Sequence, residues 1–326
     1  MRETVERHQA WIYLAAILAG MAVGGTVPAA RAAGEVLLWP LLGALLYATF
    51  TQVPLVRLGA SFRDNRFLAA LLAGNFLVMP LFVGLLLHLV PDVAPIRLGV
   101  LLVLLVPCTD WFISFTHLGR GDTARAIAAT PLLLLIQLLL LPLYVWLYMG
   151  AAVIEIALGS HLLTAFGGLI VVPLILAGMT ERAAAKHPAV ARFITALGWL
   201  PVPLLAAVVF MVAASQVGLV VATGPMLWAV VGVFLLYLAA AAAAGKALGH
   251  AFGLKPAAGR TVVFSLGTRN SFVVLPLALA LPEPWRQAVM VIVLQSLVEL
   301  FGMVAYLKWV PGWLFRDPTY SRGGTP

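Results

Sequence analysis

The chain is written as long apolar runs separated by short polar breaks. Runs of about 20 apolar residues are the signature of membrane-crossing helices. Ten can be counted, at roughly 11–27, 36–56, 67–90, 98–118, 124–149, 161–180, 193–214, 226–249, 261–281 and 287–307. Several contain proline, which a membrane helix tolerates when neighbouring groups satisfy the freed backbone. The pattern predicts an all-α integral membrane fold of ten transmembrane helices.

The charges between the runs predict how they thread the bilayer. With the N-terminus inside, sixteen Lys and Arg fall on the inner side: Arg2, Arg7, Arg57, Arg63, Arg66, Arg120, Arg125, Arg182, Lys186, Arg192, Lys246, Lys255, Arg260, Lys308, Arg316 and Arg322. The outer side receives three, Arg31, Arg97 and Arg286, and Arg269 lies within a span. This bias follows the positive-inside rule. It predicts a multi-pass protein of the cytoplasmic membrane with both termini cytoplasmic. The first run also has the basic start and the small-residue "AARAA" flank of a signal peptide. An uncleaved first helix is expected, because ten spans then divide into two sets of five. An odd number per set turns the second set upside down, the inverted-repeat logic of secondary transporters. The predicted units are 1–150, a first five-helix repeat, and 151–310, its inverted counterpart, with 311–326 as a cytoplasmic tail.

Composition narrows the class further. Hydrophobic residues make up 63% of the 326 and charged residues 10%, against about 25% charged in soluble domains; mean hydropathy is +1.06. The net charge of +8 is spread over short loops and forms no patch for nucleic acid. One cysteine excludes an internal disulfide and a cysteine-based structural zinc site. The six histidines sit at span ends or in loops without metal-ligand spacing, and there is no phosphate loop. Neither a cofactor nor an enzyme is expected.

The chemistry is carried by polar residues inside the spans. Pro107-Cys108-Thr109-Asp110 interrupts the fourth, and Gly267-Thr268-Arg269-Asn270-Ser271 interrupts the ninth. Consecutive residues step 100° around a helix, so five without a strongly apolar side chain cover every face. Such a run reads as an unwound segment lining a polar cavity. Spans 4 and 9 are therefore expected to be broken and to cross at mid-membrane, bringing Cys108, Thr109 and Asp110 close to Thr268, Arg269 and Asn270. A lone intramembrane charge costs ~2.5–3.5 kcal/mol. Asp110 and Arg269 thus read either as a structural ion pair or as direct participants. Cys108 reads as a small buried hydrophobe or as a ligand. Gln295, Ser296 and Glu299 share one face of span 10, either as interhelical glue or around a proton-loading carboxyl. Asn75 and Gln137, single polar residues in mid-span, read as helix–helix glue.

Three stretches, "PCTDWFISFTHLGRGD", "GTRNSFVVLPLALALP" and "LVEL", together resemble the bile acid:sodium symporter superfamily, and within it most nearly the arsenite-efflux (arsenical-resistance permease) branch. The resemblance covers nearly the whole chain, but only these stretches are specific. It implies a metalloid-handling cysteine at Cys108 and a glutamate of the tenth helix at Glu299. The branch carries Asn-Asn-Phe-Glu on its ninth helix, where this chain has Arg269-Asn270-Ser271-Phe272, so the acid falls at Phe272. The sodium-coupled branch carries Glu-x-Gly-x-Gln-Asn-Ser, where this chain has Ser265 for the acid and Arg269 for the glutamine. A fixed charge in place of a sodium ligand argues against that ion site, since arginine keeps its proton at accessible pH.

The expected activity is export of arsenite, and of antimonite, by exchange for protons. Cys108 would ligate the metalloid, with Thr109, Asn270 and Ser271 donating to its hydroxyls. Asp110, Arg269 and Glu299 would set the charge balance and couple proton movement. The alternative is a transporter of a small organic anion, with Arg269 clamping the carboxylate. The partners are a small-molecule substrate, the proton and the lipid bilayer.

Overall fold

The computed structural model describes residues 2–53, 64–151, 153, 166–215 and 217–316. Arg57, Arg63, His161 and Arg322 lie outside the described residues, as do the side chains of Arg2, Arg7 and Arg31 and most of the segment expected to join the two repeats. The described chain is helical: α1 (Arg2–Thr26), α2 (Pro28–Phe50), α3 (Asn65–Leu89), α4 (Ala94–Leu104), α5 (Trp111–Leu118), α6 (Thr123–Met149), α7 (Gly167–Ala184), α8 (Pro188–Leu197), α9 (Pro201–Ser215), α10 (Val217–Ala251), α11 (Pro256–Gly267), α12 (Ser271–Leu279) and α13 (Gln287–Trp309).

Among the described residues, five stretches suit a membrane crossing by length and composition: α3, α6, α7, Met226–Ala251 of α10, and Glu283–Leu314 around α13. The bent pair α8 and α9, with 44° between its parts, makes a sixth. Trp11–Thr26, Val36–Phe50 and α4 are shorter apolar helices. Leu77, Leu81 and Leu85 on α3 and Leu139, Leu143 and Leu147 on α6 recur every fourth residue and are exposed. Continuous apolar stripes of this kind suit lipid rather than water.

Local sequence explains where helices start and stop. Asp64 caps α3 by accepting from Phe67 N–H at 3.1 Å, and Asp122 caps α6 by accepting from Arg125 N–H at 3.0 Å. Proline occupies the first turn of α2, α8 and α11, where its missing N–H costs nothing. The Arg120-Gly121-Asp122 tripeptide is a helix stop. Arg120 takes a left-handed conformation (φ 57°), and Gly121 N–H closes back on Thr116 C=O at 2.7 Å.

Packing sorts the helices into two groups. α9 lies along α1 and α2, with α7 on α2 and α8 on α7. The remaining helices, α3 to α6 and α10 to α13, pack among themselves, chiefly α10 on α11 and α13, and α4 on α13. Contacts between the groups are sparser and run mainly through α12 to α2 and α7 and through α1 to α13. Both groups draw helices from each of the two sequence units. The first group closes tightly where Gly20 and Gly24 face α9: a Cβ at either would collide with the Phe210 or Ala214 carbonyl. In the second, Arg260 donates to Phe315 C=O at 3.0 and 2.7 Å and to Arg120 C=O at 2.9 Å. The Phe315 ring lies against Gly249 and Gly259. Packing in this group extends to Phe315.

Candidate functional site

The two interrupted spans are broken as their sequences predict. α4 stops at Leu104 and α5 starts at Trp111; α11 stops at Gly267 and α12 starts at Ser271. The two unwound stretches meet as an antiparallel bridge between Pro107 and Arg269. Cys108 N–H donates to Thr268 C=O at 3.1 Å, and Asn270 N–H donates to Val106 C=O at 2.8 Å. Backbone released from helix must find partners when it is buried, and here each break supplies them to the other. Pro107 suits its place because neither bridge bond uses its nitrogen.

This geometry sets the local electrostatics. α5 and α12 begin at the bridge with their positive ends, while α4 and α11 finish there with carbonyls that have no donor within their own helix. Arg269, only 1% exposed, turns its guanidinium to those carbonyls. Its Nη1 donates to Leu104 C=O at 3.3 Å. Its Nη2 donates to Leu266 C=O at 2.7 Å, Ser265 C=O at 3.0 Å and Asn75 Oδ1 at 2.9 Å. The Tyr237 ring lies 5.3 Å from the guanidinium carbon, and its hydroxyl donates to Leu266 C=O.

The other expected residues join the same cluster. Asn270 caps α12 by accepting from Val273 N–H at 3.2 Å and donates to Thr109 Oγ1 at 3.2 Å. Ser271 donates to Gln295 Oε1 at 3.2 Å and accepts from Ser296 Oγ at 2.8 Å. Glu299 Oε2 accepts from Gln295 Nε2 at 2.6 Å and from Arg269 N–H at 2.8 Å, while its Oε1 is buried without a hydrogen-bond partner. Cys108 is 1% exposed at the bridge. Asp110 heads α5 and is partly exposed; its side chain does not cap that helix. Trp111, the next residue, stacks on Tyr13 of α1 at 6.0 Å and meets Phe272 of α12 edge-on at 5.2 Å, so the site borders the seam between the two helix groups.

Two members escaped the sequence reading. Asn75 does act between helices, giving Nδ2 to Ser265 Oγ at 2.9 Å and to Leu71 C=O at 3.1 Å, but it also presents its oxygen to Arg269. Its lone position in mid-span was the available signal. Tyr237 gave none, being one aromatic in an apolar run. Gln137 is buried with both amide atoms unpartnered. Among the described residues no group of three or more His, Cys, Asp or Glu could hold a metal ion. A cavity of about 420 Å³ between the ends of α3, α4 and α6 is lined by His88, Asp92, Arg97 and Tyr148, and shares no residue with the bridge.

No curated protein matches the chain. The model of the sodium bile acid symporter family matches residues 39–223, more than half of the chain. The match includes the α4–α5 break and ends before α11. With apolar helices enough for several crossings and a broken-helix centre buried among them, the chain belongs to the sodium bile acid symporter family, whose members are transporters.

Proposed function

We propose that the protein is a secondary transporter that exports arsenite, and antimonite, in exchange for protons. One observation carries the reading. The Pro107–Arg269 bridge holds the sole thiol of the chain where two half-helix N-termini begin. Soft trivalent arsenic favours thiolate, as soft metals do. A single sulfur suits a carrier that must also release its cargo. In this reading Thr109, Asn270 and Ser271, paired with one another and with Gln295 and Ser296 in the closed state, exchange those bonds for arsenite hydroxyls. Asp110 and Glu299 supply the titrating carboxyls. The polypeptide crosses the membrane ten times as two inverted five-helix repeats, with both termini inside. Rocking of the α1, α2, α7–α9 group against the remainder opens the seam at Trp111 to each side in turn.

A second reading is favoured by the family's name and by the converging positive ends of α5 and α12, which suit an anion. The solute is then a small organic anion, and Arg269 meets its carboxylate after leaving its present partners.

Arsenite uptake into everted vesicles separates the two. An imposed proton gradient drives it in the first reading, and Cys108→Ser abolishes both flux and cellular protection. Flux that follows sodium alone, or a Cys108→Ser variant that protects as well as the parent, overturns arsenite–proton exchange.

A further inference from the structure

We infer that Arg269 is a tethered cation, occupying permanently the position at the crossing that a mobile coupling ion would take. Four oxygens from three elements converge on its guanidinium: Leu104 C=O at the end of α4, Ser265 and Leu266 C=O at the end of α11, and Asn75 Oδ1 from α3. The Asn75 oxygen is aimed by the amide's other bonds, to Ser265 Oγ and Leu71 C=O. The carbonyls belong to last turns that have no intrahelical donor, so the cage is a focus of negative potential. In broken-helix transporters such half-helix C-termini and unwound carbonyls coordinate the coupling cation, and rings of carbonyls can replace an alkali ion's water. Tyr237 covers the guanidinium with its ring face, which also favours a cation.

The sodium of the family's name does not fit this cage. Its oxygens are already committed to a group whose charge is fixed and which would repel a second cation. The chain belongs to the family over residues 39–223, and Arg269 lies beyond the matched stretch. A tethered cation keeps the cage satisfied through every turnover but carries no energy from an ion gradient. The driving ion must then act elsewhere. Glu299 is the connected candidate, since one of its oxygens holds Arg269 N–H and the other is unpartnered.

The inference rests on the transporter reading in which Arg269 keeps its present partners, and it is tested without a solute. Thermal unfolding of purified parent, Arg269→Lys, Arg269→Gln and Arg269→Ala is followed in detergent, exchanging choline for sodium at constant ionic strength. The parent and Arg269→Lys show the same midpoint in both salts. Arg269→Ala starts lower and gains about 2–4 °C, saturably, once sodium exceeds its dissociation constant severalfold. Arg269→Gln, which keeps donors without the charge, serves in its place if the alanine variant does not fold. A parent midpoint that rises saturably with sodium overturns the inference. So does a folded Arg269→Ala or Arg269→Gln that responds alike to sodium and choline, which would leave the arginine a clamp alone. Failure of arsenite flux would leave these outcomes unchanged.

Discussion

The two breaks at the crossing solve one problem in different ways. The first, between Leu104 and Trp111, is six residues long and contains proline; the second, between Gly267 and Ser271, is three residues long and has none. Every side chain of the shorter break is pinned: Thr268 to Phe264 C=O, Arg269 to its four oxygens, Asn270 to Val273 N–H and Thr109. The longer break carries the thiol and the acid, and the acid at its end does not cap the helix that follows. A short break leaves few released backbone groups and can be held by side chains. A long one releases more backbone, and its Thr109 is itself held by Asn270 of the shorter break. The difference makes the α11–α12 side the more rigid of the two and the α4–α5 side the more adaptable.

The largest expected effect comes from cutting the rigid side at its anchor. Glu299→Ala orphans two buried donors, Arg269 N–H and Gln295 Nε2, at about 1–3 kcal/mol each. A marked fall in thermal midpoint follows, with Glu299→Gln losing less because it keeps an acceptor. Equal losses for the two variants would show that the carboxylate's charge, and not its acceptor, holds the break.

Asn270→Ala comes next. It removes the α12 cap and the Thr109 contact, at about 1–2 kcal/mol, read from the same unfolding curves. On the adaptable side, Pro107→Ala costs only about 0.4–1 kcal/mol, by loosening the unfolded chain. Neither bridge bond depends on the proline. A larger loss for Pro107→Ala than for Asn270→Ala would reverse the assignment of the rigid side.

The smallest effect lies at the far end of α5, where Arg125 bonds both Asp64, at 2.7 and 2.9 Å, and Asp122. The Phe67 N–H, followed by Arg125, holds the Asp64 carboxyl below its ordinary 3.8. The charged form is thus favoured by folding. Its contribution is complete above that value and disappears as pH falls through the lower folded value. Asp64→Asn should therefore be less stable than the parent at neutral pH, and unfolding curves taken against pH should show that gap narrowing below 3.8.

The crossing was legible because its sequence breaks two rules at once. Pro107 cannot continue the hydrogen-bond ladder, and Gly267 to Ser271 leave no apolar face. Helix limits followed from the apolar runs where nothing interrupts them: 124–149 was expected for α6, Thr123–Met149, and 287–307 for α13, Gln287–Trp309. The partners of Arg269 were not legible. Three of its four acceptors are backbone carbonyls, which every residue carries and no side-chain pattern distinguishes. The apolar run at 193–214 bends between Leu197 and Pro201, where Gly198 and Pro201 are the helix breakers that counting apolar residues alone passes over. The sorting of helices into two groups arises from contacts between distant segments, such as Gly20 and Gly24 against α9, that no local periodicity encodes.

The single cysteine at the bridge makes the protein its own reporter. Cys108 is buried on every side in this conformation, so under the proposed rocking an impermeant thiol reagent would reach it only when the seam opens. No competing thiol has to be removed first. The rate of labelling from each face of a sealed vesicle would then time the exposure of the centre to that side, turnover by turnover, in the unaltered chain.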